Sequence, residues 1–455
     1  MERTGMVGLA AQAGHPVYDV IGVGFGPSNL ALAIAAGERG KAAPRALFLE
    51  RQARFGWHRG MLIEDATMQV SFLKDLVTLR NPASEFSFLT YLHQNGRLID
   101  FINHKTLFPL RIEFHDYLEW AASKVSDVVR YDREVQAVRP VRTDGVIDAF
   151  DVTSAGQNGT SVDRTRNLVL GVGLKPHLPA GISRSDRVWH NQELLTRVRE
   201  LDGRTPGRFV VVGAGQSAAE VTAFLHETFP QSEVCAVFSR FGYSPADDSP
   251  FANRVFDPEA VDEFYSAPED VKRMVLDYHG NTNYSVVDAE LIEDLYGRLY
   301  RERVLGAERL RTFNVSRVVD VVDTDEDAAV TIESLSTGQK TQLSADVVVY
   351  CTGYRPADPV ALLGEMGELC RRDQDGRVKI GRDYRVQTTG ELQAGIYLQG
   401  GGTEHSHGLA SSLLSNTAIR AGEIVDSIAA AAARSTGDIA DVEEPSAVPD
   451  FAGSH

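Results

Sequence analysis

Two segments of this chain repeat one local pattern, and few folds accommodate that pattern twice. Asp19-Val-Ile-Gly22-Val-Gly24-Phe-Gly26-Pro27 is an apolar run ending in a glycine-rich turn, with Leu30, Ala33 and Ile34 following at helical spacing. Arg208-Phe-Val-Val-Val-Gly213-Ala-Gly215-Gln216-Ser217-Ala218 does the same, followed by Val221, Phe224 and Leu225. Each spells a buried parallel strand, a tight turn and a helix, the opening of a βαβ unit. Their separation far exceeds the ~20–50-residue period of a solenoid. Two nucleotide-binding units are therefore expected, in an α/β fold.

Within the turns, the residue types specify what could bind. Gly22 permits the tight turn and Gly24 a close backbone approach, while Gly26 and Pro27 open the helix; Pro27 suits a first turn whose N–H would be unpaired anyway. The next strand, Ala46-Leu-Phe-Leu-Glu50, ends in an acid placed for the two ribose hydroxyls of an adenosine. In the second unit, Gly213 and Gly215 form the turn and Gln216 and Ser217 begin the helix. Its next strand ends in Ser239 and Arg240 instead of an acid. An acid there would repel a 2′-phosphate, whereas a guanidinium pairs with one. The first site is thus expected to hold a nucleotide with a free ribose and the second to prefer NADP over NAD.

Two further apolar strands look like crossovers. Asn167-Leu-Val-Leu-Gly171-Val-Gly173, followed by Pro176 and Pro179, reads as the way out of the first unit, and Asp346-Val-Val-Val-Tyr-Cys351-Thr-Gly353-Tyr354 as the way back. The second unit would then be inserted in the first, the layout of a flavoprotein reductase or monooxygenase in which NADPH is delivered to FAD. The expected division is 17–205 for the first part of the FAD-binding unit, with pocket elements at 55–120. The NADPH-binding unit would span 206–345, with a helical insertion at about 241–305 marked by Pro245, Pro250, Pro258 and Pro268, and the FAD-binding unit would resume over 346–434. Beyond Arg434 come five acids and no Lys or Arg, so 435–455 is expected to be a disordered acidic tail.

Composition removes competing classes. The formal charge of −17 over 455 residues leaves no cationic surplus for displacing counterions from nucleic acid. The three cysteines, Cys235, Cys351 and Cys370, include no CxxC pair, which excludes a redox disulfide beside the flavin and suits a reducing compartment. No run is long enough for a membrane span, and residues 1–16 are poor material for a signal peptide, so a cytoplasmic location is expected. Thr403-Glu404-His405-Ser-His407 could be read as a metal pair. Histidines two apart face opposite ways on a helix, however, and no further ligand set follows, so a flavin-contacting loop and no metal are expected.

From about residue 17 to 430 the chain resembles the L-ornithine N5-monooxygenases, flavin-dependent N-hydroxylating enzymes of siderophore biosynthesis, with the lysine enzymes next. The resemblance rests on the GxGxxP turn, Trp57-His58, Met68-Gln69-Val-Ser-Phe-Leu-Lys74-Asp75-Leu, Arg80-Asn-Pro, Phe114-His-Asp-Tyr-Leu-Glu-Trp120 and Gly213-Ala-Gly-Gln-Ser-Ala218. It continues in Asp248-Ser-Pro-Phe-Ala-Asn253, Asn281-Thr-Asn283-Tyr-Ser-Val-Val-Asp288, Thr352-Gly-Tyr354 and His407-Gly-Leu-Ala-Ser-Ser-Leu-Leu-Ser415-Asn416. Cys351 stands where that family more often has Ala.

The resemblance implies that NADPH reduces FAD, that the reduced flavin forms a C4a-hydroperoxide with molecular oxygen, and that the substrate's terminal amine attacks it. It implies that Lys74 grips the α-carboxylate of L-ornithine, that Asn253 holds the α-amino and carboxylate groups, and that Ser415 contributes near the same end from an apolar helical run. Asn283 is implied to face the nicotinamide ribose and the reacting flavin edge, Gln69 to lie near the flavin ring, and Trp57 and His58 to pack along FAD. Gln216 and Ser217 would meet the NADP pyrophosphate, through side chain and backbone. A homo-oligomer, commonly a tetramer, is the implied assembly. Lysine N6- or diamine hydroxylation, and an FAD- and NADP-binding redox sensor without hydroxylase activity, are the alternatives.

Overall fold

The computed structural model describes residues 16–436, apart from the side chains of 281–283 and of 435 and 436. The expected tail at 435–455 lies almost wholly outside the described residues. Tyr18–Val23 is the centre of the first sheet. It pairs in parallel with Ala46–Leu49 on one side and with the C-terminal half of Gly159–Leu170 on the other, Val20 opposite Asn167 and Val23 opposite Leu170. Gly395–Leu398 runs parallel along the far side of that half. The N-terminal half of Gly159–Leu170 continues into an antiparallel ladder with Val146–Gly156, which pairs in turn with Glu134–Thr143. The parallel strands are nearly continuous apolar runs because both of their faces are covered: Ile21, Phe48, Leu168 and Ile396 are essentially inaccessible. The first dinucleotide helix, Pro27–Gly37, packs on the last helix, Thr417–Thr436, and Arg111–Lys124 closes the same layer through Phe114 and Tyr117.

A second, all-parallel sheet has the order Leu310–Phe313, Glu233–Val237, Arg208–Val212, Val347–Tyr350, Val188–His190. Two of these strands fall on the other side of the boundaries drawn from the sequence. Val188–His190 precedes residue 206, yet it flanks Val347–Tyr350, and the latter pairs with Arg208–Val212 in the second sheet instead of leading back into the first. The true crossing segments are Leu174–Pro176 and Tyr354–Pro356, which pair antiparallel with each other. The insertion comprises helices Pro258–Ser266, Glu269–Asn283 and Ala289–Leu305. Among the described residues, no helix is long and apolar enough to cross a membrane.

Candidate active site

At the first turn the glycines answer to specific neighbours. Gly24 has φ +81° and an added Cβ would sit 2.6 Å from the carbonyl oxygen of Gly171; at Gly22 it would strike the ring of Phe48. At Gly26, which N-caps the helix without a side-chain cap, an added Cβ meets nothing within 4 Å. Open space at the positive end of a helix, with first-turn N–H groups uncapped, is a cradle for a pyrophosphate, so this end fits FAD. Glu50 is buried at the end of Ala46–Leu49, where one carboxylate oxygen accepts from the Phe25 N–H at 2.7 Å and the other from the Gln52 N–H at 2.8 Å. It pins the turn, and each oxygen retains acceptor capacity for a ribose hydroxyl. Behind the turn, buried Asn29 donates to the carbonyls of Val23 and Gly24 at 3.2 and 2.7 Å and accepts from Gln399 at 2.8 Å. Neither Asn29 nor Gln399 was expected from the sequence; their partnership spans the whole first unit and leaves no local pattern.

Trp57 and His58 stand together with ring centroids 4.6 Å apart, Trp57 against Phe114 and His58 against Tyr354. His58 is exposed at the surface with protein packed around it; that surround, followed by the charge of Arg111 and by His115, pushes its pKa down to about 4. Gln69 is exposed and its amide reaches Asp288.

Lys74 and Asp75 are not an ion pair. Asp75 is 3% exposed and its carboxylate is occupied by the N–H groups of Val77, Thr78 and Phe88 at 2.7–2.9 Å and by the Thr78 hydroxyl. Burial still holds its pKa above the ordinary carboxylate value, against those bonds. It organises the loop from which Lys74 projects. Lys74 itself is half-buried, with its ammonium 6.0 Å from the centroid of the Phe256 ring, and burial lowers its pKa against the opposing charge of Asp257. Phe256 ends the Ala252–Phe256 turn that carries Asn253, whose side-chain amide donates to the Asp248 carbonyl at 2.7 Å. That turn packs on Leu409 and Ala410, with Leu413 beside them. Ser415 follows directly and is buried, but it lies in the turn before Thr417–Thr436 and not in a helical run as its apolar neighbours suggested. The structure therefore brings the segments of Lys74, Asn253 and Ser415 together around one apolar cluster.

In the second unit Gly213 adopts φ +148°, where an added Cβ would lie 2.5 Å from the carbonyl oxygen of Cys351, and Gly215 N-caps Gln216–Thr228 without a side-chain cap. Ser217 sits in the open first turn. The Gln216 side chain is engaged differently from expectation: its amide donates to Asp288 and Glu220, and its carbonyl accepts from the Asp288 N–H, so it is turned away from the turn it was expected to serve. Arg240 lies just beyond Glu233–Val237 and donates to the Ser285 carbonyl at 2.9 Å and to the Ser244 hydroxyl at 3.5 Å. Among the described residues its charge meets no carboxylate, which leaves it suited to a phosphate.

Asn283 closes the helix Glu269–Asn283, and its side chain lies outside the described residues. His405 and His407 both bond backbone carbonyls, those of Val378 and Arg382, and the His407 ring stacks on Tyr384 with centroids 4.0 Å apart. These two histidines face the core at 378–384. One other group, His115, Asp116 and Glu119, brings ligand atoms within 4.8 Å of one another; the ring of His115 already accepts from the Trp57 N–H.

The comparisons with known proteins agree with this geometry. The family model described as L-lysine 6-monooxygenase/L-ornithine 5-monooxygenase matches residues 16–356. An L-ornithine N(5)-monooxygenase of Burkholderia cepacia is 44% identical over 402 residues, covering 86% of this chain and 90% of that protein. The ornithine N-hydroxylase of Kutzneria sp. 744, solved with reduced FAD, NADP+ and L-ornithine, superposes with a TM-score of 0.88 at 50% identity, over 91% of this chain and 99% of that one. The L-lysine 6-monooxygenase of Pseudomonas syringae superposes with a TM-score of 0.80 at 32% identity, over 91% and 99%. With two dinucleotide turns, a half-buried lysine beside an insertion turn and relatives this similar over most of both chains, this chain belongs to the L-lysine 6-monooxygenase/L-ornithine 5-monooxygenase family.

Proposed function

We propose that this chain hydroxylates the side-chain nitrogen of L-ornithine, using FAD, NADPH and molecular oxygen, for siderophore or related hydroxamate synthesis. The first sheet holds FAD on the Gly22–Pro27 turn and Glu50, and the second holds NADPH on the Gly213–Ser217 turn and Arg240. When bound, FAD supplies the hydride-accepting and oxygen-activating chemistry. The protein's own residues bind, orient and exclude water. Lys74 pairs with the substrate carboxylate, Asn253 and Ser415 hold the same end, and Gln69, Trp57, His58 and Asn283 line the reacting end. A terminal amine with a pKa of about 10.4 is overwhelmingly protonated at neutral pH. The site must therefore bind the amine so that it can lose its proton before attack.

The observation that carries the reading is Lys74, a half-buried cation without an ion-pair partner among the described residues, set over Phe256 on the turn of Asn253. Removing an anion's charged partner costs about 2 kcal/mol, roughly thirtyfold in affinity. Lys74→Met is expected to raise the ornithine KM by about that factor while leaving the NADP+ affinity unchanged. The direct test follows NADPH oxidation together with hydroxylated product across a series of amines. Oxidation without any hydroxylated amine would overturn the assignment. We further infer a cytoplasmic homo-oligomer, a tetramer by resemblance; light scattering reads its mass.

A further inference from the structure

Asp288 breaks a local rule. It stands at the N-cap of the insertion helix Ala289–Leu305, where an Asp side chain ordinarily accepts from its own helix's first turn, yet it makes no such bond. Its carboxylate accepts from the Gln216 amide at 2.8 Å, and its backbone N–H donates to the Gln216 carbonyl at 2.9 Å. The Gln69 amide lies 3.4 and 3.5 Å from the two carboxylate oxygens. The chain of contacts continues from Gln216 to Glu220 at 3.1 Å, and Glu220 receives the Arg111 guanidinium on both oxygens at 2.7 and 2.8 Å. Three segments meet here: the Gln69 loop and Arg111 helix of the first unit, the second dinucleotide helix, and the insertion, the last two sharing one apolar core through Ala218, Val221, Val287 and Leu295. A local preference given up without a local gain marks a functional constraint. The backbone joins the two sheets only through the 171–187 and 351–394 connections, whose crossing segments form a two-stranded pair of three residues each. Packing between the units, through Met61, Ile63 and Ala66, together with polar side-chain contacts such as those of Asp288 therefore sets the angle between them.

We propose that Asp288 is a positioning residue that fixes the second dinucleotide helix against the flavin-side loop, so that the nicotinamide meets the flavin in register. This rests on the FAD and NADPH reading above. Hydride transfer depends on near-attack geometry, with losses of about a hundredfold per ångström of misplacement.

The test uses the FAD-loaded full chain and its Asp288→Ala and Asp288→Asn variants. It reads FAD content, NADP+ affinity by fluorescence titration, anaerobic flavin reduction at saturating NADPH, and peroxide released per NADPH oxidised. Asp288→Ala is expected to retain FAD, to reduce its flavin at least tenfold more slowly and to release more peroxide. Asp288→Asn, which keeps one acceptor oxygen, recovers part of the rate. Unchanged reduction and peroxide in Asp288→Ala overturn the proposal, as does a lower FAD content with a normal reduction rate per bound flavin. Should Asp288→Ala fail to hold FAD, a wild-type reduction rate in Asp288→Asn overturns it and a reduced rate supports it. An unsubstituted protein whose flavin is reduced by NADPH but which yields no hydroxylated ornithine defeats the functional reading alone, because flavin reduction is measured directly.

Discussion

Arg240 carries its chemistry in its residue type and its place at the end of a strand. A guanidinium where a ribose-binding unit would carry an acid predicts a 2′-phosphate, and the fold sets that group against neutral acceptors, the Ser285 carbonyl and the Ser244 hydroxyl. A charge-assisted pair of this kind is worth about 2 kcal/mol, so Arg240→Ala is expected to raise the NADPH KM about thirtyfold with little change for NADH. Steady-state kinetics with both nucleotides decide it, and an unchanged NADPH KM would assign the phosphate to another residue. Gly24, Pro27 and Glu50 were legible for the same reason: each is defined by its own chemistry at the end of a recognisable element, whereas Lys74, in a loop, was reached only through the family resemblance. Asp75 and Gln216 were not. The partners of Asp75 are backbone N–H groups that converge only once the 75–88 loop has folded. Besides Glu220 one turn on, the partner that turns Gln216 aside is an acid 72 positions away.

Among the elements, the two strand–turn–helix openings were legible because an apolar run, fixed glycines and helical spacing all point one way. Gly24 ties that local pattern to the tertiary fold. Its φ of +81° favours glycine, and its missing Cβ lets the Gly171 carbonyl approach. A side chain there carries about 1–3 kcal/mol of backbone strain, before the clash at 2.6 Å is relieved. Gly24→Ala is therefore expected to purify with sharply reduced FAD content and a lower melting midpoint, while Gly26→Ala, in open space, keeps its stability and loses FAD affinity alone. Absorbance at the flavin band and thermal melts of the two variants separate these effects. Short elements were not legible. Val188–His190 and Val347–Tyr350 have three and four residues, too few for periodicity to reveal which sheet they join. The apolar residues of Leu409–Leu414 form only a short 3-10 helix, Leu409–Ser412, with Leu409, Ala410 and Leu413 packed against the insertion, and for that reason Ser415 was placed in the wrong kind of element.

At the scale of the whole molecule, nesting of one dinucleotide unit in another was legible from the two glycine motifs and the apolar strands at 167–173 and 346–354, whereas the relation between the units was not. That relation depends on contacts such as Arg111 with Glu220, buried between helices from different units. It also sets a length. On the proposed reading, Lys74, Asn253 and Ser415 hold the amino-acid end of the substrate and the dinucleotide turns set where the flavin lies. The span between them acts as a ruler for the chain between carboxylate and amine. Lysine, one methylene longer than ornithine, must buckle or carry its nitrogen past the reacting position. Binding alone separates such a pair by only about 1–3 kcal/mol, but misplacement at the reacting end costs up to about a hundredfold per ångström. Lysine is therefore expected to bind and to stimulate NADPH oxidation, with most of the reducing equivalents leaving as hydrogen peroxide. Ornithine should return them chiefly as hydroxylated amine. Measuring both products at saturating substrate checks this. Equal hydroxylated yields from the two amino acids would show that the span adapts, and would move the origin of selectivity from distance to the contacts at the amino-acid end.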